Sequence, residues 1–150
     1  MKNFMMSTRF NKESPKDFGL EYRDGKYIHM LDETEWVPCY LYDFGWGKEN
    51  GFYKKPLGEF KELILLVLND TDLEDSFGAA AIIEDLYINE LKNYLLHLMS
   101  NQIEPSNKKK LNSIFRLYID SNRTLCKGMS LDQIRKELSD WKMISVFYSS

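Results

Sequence analysis

Seven carboxylate side chains, and no Lys or Arg, lie in the segment from Asp70 to Leu91. They are Asp70, Asp72, Glu74, Asp75, Glu84, Asp85 and Glu90. General acid–base chemistry would need two of these groups to converge on one reacting atom. Glu84 and Asp85 are adjacent, and adjacent residues of a helix point in different directions. The segment therefore contains no acid–base pair.

The residues that commonly act as nucleophiles or metal ligands are isolated from one another. His29 and His97 are the only histidines, and neither has a Cys, His or Asp at ligand spacing. Cys39 and Cys126 form no CxxC pair, and we expect free thiols, with a disulfide between them as the alternative. Ser76 does not stand in a nucleophile elbow, and no Gly-rich phosphate loop occurs. We therefore predict no catalysis, no metal and no cofactor.

Recognition of another protein explains the acidic segment better than catalysis does. The run Gly78-Ala79-Ala80-Ala81 gives a helix a small, flat flank that another element can approach closely. A basic partner would be attracted by the carboxylates, and Trp46, which stands between two glycines in a loop, could anchor it. The predicted partner-binding residues are Asp70, Asp72, Glu74, Asp75 and Trp46. The alternative is a solvated connector whose charges favour two helix starts.

Residues 105–127 are basic, with six Lys or Arg residues and Asp120 as the only acid. Lys108, Lys109 and Lys110 stand at a helix start, where they oppose the helix dipole, so a phosphate contact and a solubilising face are both open. No nucleic-acid motif accompanies these charges, and the whole chain carries a net charge of −3. We predict no direct binding to nucleic acid.

The chain changes character near residue 55. Residues 1–55 are rich in Gly, aromatic and turn-forming residues, and we predict an irregular layer in which a small β-hairpin at Asp24-Gly25 is an option. Pro38 limits residues 36–44 to an edge or irregular strand. We expect most aromatic residues from Trp36 to Tyr53 to pack this layer onto the helices, with interface anchoring as the alternative use.

Residues 56–148 read as successive amphipathic helices with short polar connectors. Asp75 or Ser76 is the predicted N-cap of one helix, and Ser130 and Gln133 form a capping box for the last one. The predicted inner face of that last helix consists of Leu131, Ile134, Leu138 and Trp141. The positions we predict to be buried are Leu66, Ile83, Leu95 and Ile134. The predicted fold is mostly α, a bundle of α-hairpins for which HEAT-like stacking is one form.

The 150 residues suit a single domain, residues 1–150, that is long enough to bury a core. The longest apolar run, residues 63–68, is too short for a bilayer span of roughly 20 residues, and the N-terminus lacks a signal-peptide pattern. We therefore predict a cytoplasmic protein without membrane contact.

The stretch EDSFGAAAIIEDLYINELKNYLLHL, residues 74–98, resembles part of the helical, HEAT-like immunity proteins of bacterial polymorphic toxin systems. The shared features are an acidic turn, a Gly-Ala-Ala helix start and two short amphipathic helices. The resemblance implies a small cytoplasmic protein that binds a cognate toxin domain, often a nuclease, and neutralises it. The leading hypothesis is therefore a non-catalytic protein-binding module of this immunity type. The alternatives are a helical scaffold or regulatory adaptor and, ranked lowest, an enzyme of unrecognised type.

Overall fold

The computed structural model describes residues 2–6, 14–43, 47–69, 72–119, 123–124 and 126–150, and for residues 42, 43 and 47–49 it describes the backbone alone. Two compact units divide the chain, residues 1–85 and residues 86–150. The single domain predicted for residues 1–150 stays a prediction. Asp70 and Trp46 lie outside the described residues.

The first unit contains a five-stranded antiparallel sheet with the strand order β1-β5-β4-β3-β2. The strands are β1 (Phe4–Met6), β2 (Leu20–Arg23), β3 (Lys26–His29), β4 (Glu35–Asp43) and β5 (Gly47–Lys54), and a 3-10 turn spans Pro15–Phe18. The predicted mostly α fold with an irregular N-terminal layer is therefore wrong, because the chain combines this sheet with five helices. HEAT-like stacking of the whole chain is excluded with it.

Each face of the sheet buries apolar side chains. On one face, Phe18 and Tyr27 both meet the ring of Phe52 edge-on, with ring centroids 5.2 Å apart in each pair. The buried cluster on this face consists of Met5, Phe18, Leu20, Trp36 and Phe52. All three residues of β1 are buried, so this strand shows no alternation of polar and apolar residues.

The turn signals in the sequence correspond to real turns. Asp24 and Gly25 join β2 to β3 with φ angles of 51° and 79°, the left-handed values that a two-residue hairpin turn requires. Pro38 lies in β4 beyond Glu35 and Trp36, the two residues that pair with β3. At Pro38 the described residues place a strand only on the β5 side, so its missing amide does not break a ladder between two strands.

In the part of the chain that the structure describes, five helices follow the sheet, all beyond residue 56 as the sequence predicted. The first unit holds α1 (Phe60–Leu68) and α2 (Leu73–Leu86), and the second holds α3 (Ile88–Met99), α4 (Pro105–Phe115) and α5 (Leu131–Ser149). The capping box of α5 is confirmed: the Ser130 Oγ accepts from the Gln133 amide at 3.2 Å, and the Gln133 Oε1 accepts from the Ser130 amide at 2.8 Å. Of the four positions predicted to be buried, Ile83 and Leu95 are fully buried, whereas Leu66 and Ile134 are half-buried.

The core of the second unit is built where its three helices meet. Its buried apolar residues are Leu91, Leu95, Leu111, Phe115, Leu117, Trp141, Ile144 and Tyr148. The Tyr148 hydroxyl donates to the Leu95 carbonyl at 2.8 Å, and burial raises the pKa of Tyr148 above its ordinary value. The Trp141 indole donates to the Thr124 hydroxyl at 3.0 Å. The polar groups that these two large side chains bring into the core are therefore hydrogen-bonded.

Candidate functional site

The acidic segment forms the start of α2, and Asp72 caps this helix. The Asp72 carboxylate accepts the amide of Asp75 at 3.1 Å, so α2 begins earlier than the predicted caps Asp75 and Ser76 allow. Burial opposes the charge of Asp72, but hydrogen bonds from the Asp75 amide and the Lys2 amine outweigh this effect and lower its pKa. Asp72 is therefore ionised at neutral pH.

Glu74 and Asp75 bind the backbone of β1. The Asp75 Oδ1 accepts from the amides of Asn3 and Phe4, each at 2.8 Å, and the Glu74 Oε2 accepts from the amide of Met6 at 2.8 Å. Both carboxylates are buried, with exposed fractions of 4% for Glu74 and 3% for Asp75. Because β1 is an edge strand, these side chains occupy the amides that a further strand would otherwise need.

Lys2 supplies the positive charge of this cluster. Its amine lies 2.6 Å from the Glu74 Oε1 and 3.1 Å from the Asp72 Oδ2. Burial opposes its charge, but the hydrogen bonds to Glu74 and Asp72 prevail and raise the pKa of Lys2. The acidic segment is thus matched by a cation and by amides from the first residues of the same chain.

The predicted partner-binding residues therefore do not form one exposed surface among the described residues. Glu74 and Asp75 are buried and bonded to β1, and Asp72 is half-buried and bonded to Lys2 and to its own helix. Asp70 and Trp46 lie outside the described residues, so contact of these two with a partner stays a prediction. The acidic segment does bind a cation and backbone amides, but these groups belong to residues 2–6 of the same chain.

The small flank of α2 is also used by β1. A Cβ atom placed on Gly78 would overlap the Cβ and Cγ atoms of Phe4, which is 1% exposed. The close approach predicted from the Gly-Ala-Ala run therefore occurs within the chain at Gly78. Residue 78 is glycine because the side chain of Phe4 fills the space that a larger residue would need.

Replacing Gly78 with Ala should destabilise the protein. On a free helix this change stabilises by about 0.5–1 kcal/mol, but overlap with Phe4 should reverse the sign and lower the free energy of unfolding by about 1–3 kcal/mol. Chemical denaturation of Gly78→Ala, Phe4→Ala and the double variant measures the coupling. In the Phe4→Ala background the same change should destabilise less, because the ring contact is gone and only the Cβ of residue 4 still meets the added methyl group. Destabilisation of equal size in both backgrounds would contradict the contact.

The basic segment has structural uses in the second unit. Arg116 ends α4 in the left-handed conformation, with φ 52°, and the Arg123 guanidinium donates to the carbonyls of Phe115 and Arg116 at 2.9 and 3.0 Å. Arg123 therefore caps the C-terminus of α4. Lys108 donates to the Ser150 hydroxyl at 3.0 Å, and its amine lies 4.5 Å from the centre of the Phe147 ring.

The outward side of α5 exposes four large apolar residues. Leu131 and Val146 are each 64% exposed, Leu138 is 49% exposed and Met143 is 47% exposed. We call these four residues the α5 outer face. The prediction that Leu131 and Leu138 belong to the inner face is wrong. The true buried stripe consists of Trp141, Ile144 and Tyr148, whose spacings of three and four residues fit a helix as well as those of the predicted stripe do.

Another exposed apolar residue, Leu31, stands on the turn between β3 and β4. Leu31 is 89% exposed, and its amide donates to the Nδ1 of His29 at 3.2 Å. Asp32 closes the same turn by accepting from both the amide and the hydroxyl of Thr34, and these two bonds lower the pKa of Asp32. The turn is therefore ordered although its most apolar side chain is in solvent.

No group of three or more His, Cys, Asp or Glu residues in the described ranges is arranged to hold a metal ion. Cys39 and Cys126 are not joined by a disulfide, and burial raises the pKa of Cys39 to about 12. At neutral pH the Cys39 thiol is therefore protonated and a poor nucleophile. No helix in the part of the chain that the structure describes has both the length and the apolar character needed to cross a membrane.

Comparison with known proteins gives no relative from which a role could be transferred. No protein-family model, no curated protein and no solved structure matches this chain. The exposed apolar side chains of the α5 outer face are therefore assessed on their physical properties.

Proposed function

We propose that this chain is a non-catalytic protein-binding module, an immunity protein of the cytoplasm that neutralises a bacterial toxin by stoichiometric binding. The proposal that the chain binds another protein rests on the α5 outer face, where four large apolar side chains are roughly half exposed or more. Large apolar side chains exposed along one helix offer a partner apolar surface to bury. The toxin as partner is suggested by the resemblance of residues 74–98 to immunity proteins.

The α5 outer face suits binding because its side chains are held on a long helix. The 19 residues of α5 are fixed by the capping box at Ser130 and by the burial of Trp141, Ile144 and Tyr148 on the opposite side. Binding of a partner would therefore restrict only side-chain conformations, because the backbone of α5 is already ordered in the free chain. Complete burial of one such side chain stabilises a complex by about 1.5–3 kcal/mol.

The charges beside the α5 outer face favour a partner with acidic groups around an apolar groove. Arg135, Lys136 and Lys142 are exposed on α5, with Asp132 as an exposed acid near its start. Lys136 is held by Asp140, and Arg135 lies 3.9 Å from Asp132, so Lys142 is the cation of this helix most accessible to a partner's carboxylate. Asp72, Glu74 and Asp75 are bonded within the chain, so their charges give no argument for a particular activity of the toxin.

Co-expression tests this proposal. The protein encoded by the neighbouring open reading frame is expressed in bacteria with the unaltered chain or with a Leu138→Glu, Val146→Glu variant. We expect protection and a one-to-one complex by size-exclusion chromatography with the unaltered chain. Two charges within the α5 outer face should weaken the complex at least about 100-fold, since burial of each apolar side chain is worth about 1.5–3 kcal/mol, and protection should fail.

Met30→Glu combined with Leu31→Glu is the matched control, because it places the same two charges on exposed apolar residues in the first unit. All variants should keep the unaltered melting temperature to within a few degrees, since exposed substitutions away from special features have small effects. Protection that survives the α5 changes would contradict the assigned surface. A complex that forms without protecting the cell would favour the adaptor function over immunity.

A further inference from the structure

The two edge strands of the sheet differ in whether their outward backbone groups are bound by other residues of the chain. At β1 the outward amides are bound by Glu74 and Asp75, and the strand is buried. At β2, the opposite edge, residues 21–23 are exposed and β3 is the only strand bonded to it in the described ranges. An open edge strand offers backbone donors and acceptors to any strand that can lie beside it.

The hydrogen-bond pattern identifies the groups on this open edge. The Met30 amide donates to the Gly19 carbonyl at 2.9 Å, so Gly19 and Met30 form a hydrogen-bonded pair across the hairpin. Bonded and non-bonded pairs alternate along an antiparallel ladder, and the register pairs Tyr22 with Tyr27 three positions further on. This pair is therefore a non-bonded one. The amide and carbonyl of Tyr22 point away from β3, toward the outer edge.

We propose that β2 pairs with β2 of a second copy of this chain, antiparallel, with Tyr22 on the two-fold axis. In this register the two Tyr22 residues exchange two hydrogen bonds, amide to carbonyl in each direction. The two five-stranded sheets then continue as one ten-stranded sheet. A two-fold axis of this kind presents the same strand from both subunits, as isologous dimers require.

The side chains of β2 are complementary to themselves in this register. With Tyr22 opposite Tyr22, Glu21 of each copy faces Arg23 of the other on the same side of the sheet. Within one chain Arg23 already lies 3.2 Å from Glu21 and 3.0 Å from Glu33, and the dimer exchanges the Glu21 partner while keeping Glu33. The Tyr22 rings, 64% exposed and packed edge-on against Tyr27, meet on the other side.

The four residues of β2 make a short interface, so the dimer is a weak one that depends on concentration. Sedimentation velocity from low micromolar to submillimolar concentrations measures it. Glu21→Arg and Arg23→Glu each bring like charges together at both symmetric positions, and each variant alone should weaken association at least about tenfold. An equimolar mixture of the two variants should associate again, because at positions 21 and 23 every arginine of one variant then faces a glutamate of the other.

The variants Asp132→Arg and Arg135→Glu form the matched control, since they reverse an exposed ion pair on α5. They should change neither the association of each variant alone nor that of their mixture. A monomeric unaltered chain at every concentration would overturn the proposal. So would a dimer that tolerates both reversals in β2, or a mixture that fails to restore association. Toxin is absent from every sample, so the result is independent of the proposed immunity function.

Discussion

Asp75→Ala is expected to lower the free energy of unfolding by about 3–5 kcal/mol. The Asp75 carboxylate accepts two backbone amides, those of Asn3 and Phe4, and the site is buried. Loss of the acceptor leaves two donors without a partner, and an unsatisfied buried group costs about 1–3 kcal/mol. Chemical denaturation monitored by circular dichroism measures the change.

Two comparisons make the Asp75 experiment specific. Asp75→Asn keeps one acceptor oxygen and removes the charge, so it should lose less stability than the alanine variant. Asp85→Ala removes an exposed carboxylate from the other end of α2 and should change the free energy of unfolding by less than about 0.5 kcal/mol. Equal effects at positions 75 and 85 would show that the bonds to β1 do not stabilise the first unit.

The second large effect is expected at Lys92, in the second unit. Its amine lies 2.6 Å from Glu137 and 2.9 Å from Asp140, and Lys92 and Asp140 are buried. Burial opposes these charges, but their mutual hydrogen bonds prevail, so the pKa of Lys92 is raised and that of Asp140 is lowered. Lys92→Met leaves buried carboxylates without this cation and should lower the free energy of unfolding by about 3–5 kcal/mol.

The pH dependence of the Lys92 variant follows from the direction of these shifts. Asp140 titrates at a lower pH in the folded chain, so its contribution is present above its unfolded pKa and is lost as the pH falls through the folded value. The contribution of Lys92 is present below its unfolded pKa and is lost as the pH rises through its raised folded value. The stability difference between the two proteins should therefore be largest between about pH 5 and pH 10 and shrink toward pH 3.

Lys136→Met is the control for this pair, since Lys136 contacts the same Asp140 carboxylate at 2.9 Å with a side chain that is 74% exposed. Its loss should change the free energy of unfolding by less than about 1 kcal/mol. Lys92→Met combined with Glu137→Gln and Asp140→Asn should recover part of the stability, because no unpaired charge is then buried. A Lys92→Met protein as stable as the unaltered chain at pH 7 would refute the ion-pair account.

Local signals in the sequence were sufficient at two locally determined features, although at the start of α2 they pointed to Asp75 or Ser76 and the cap is Asp72. The Ser130–Gln133 capping box and the Asp24-Gly25 turn depend on residues three or fewer positions apart, and both occur as predicted. The sheet depends on distant residues: β1 pairs with β5, and Phe4 faces Tyr53. A strand of three residues buried on both faces carries no period that could separate it from a loop. The predicted fold class failed because neither this strand nor β5, which begins with the polar residues 47–51, was recognised.

At the candidate surfaces too, the residue types predicted the kind of contact but not the groups that make it. The acidic residues at the start of α2 do bind amides and a cation, as their chemistry suggests, but the sequence does not reveal that these groups belong to β1 and its flanking lysine. On α5, helical spacing fits two stripes, one through Leu131 and Leu138 and one through Trp141 and Tyr148. Only the packing of α5 in its own unit decides that the second stripe is buried.

The binding of β1 by α2 has a consequence for synthesis on the ribosome. Phe4 leaves the ribosome before Asp75, whose side chain binds its amide and lies 71 residues further along the chain. At bacterial or eukaryotic elongation rates the wait is on the order of 4–14 s. During this interval the nascent chain displays a fully apolar strand whose amides can pair with other chains. Synonymous codons that slow translation between β1 and α2 should therefore increase the aggregated fraction of newly made protein, whereas the purified chain should refold from denaturant with no such dependence.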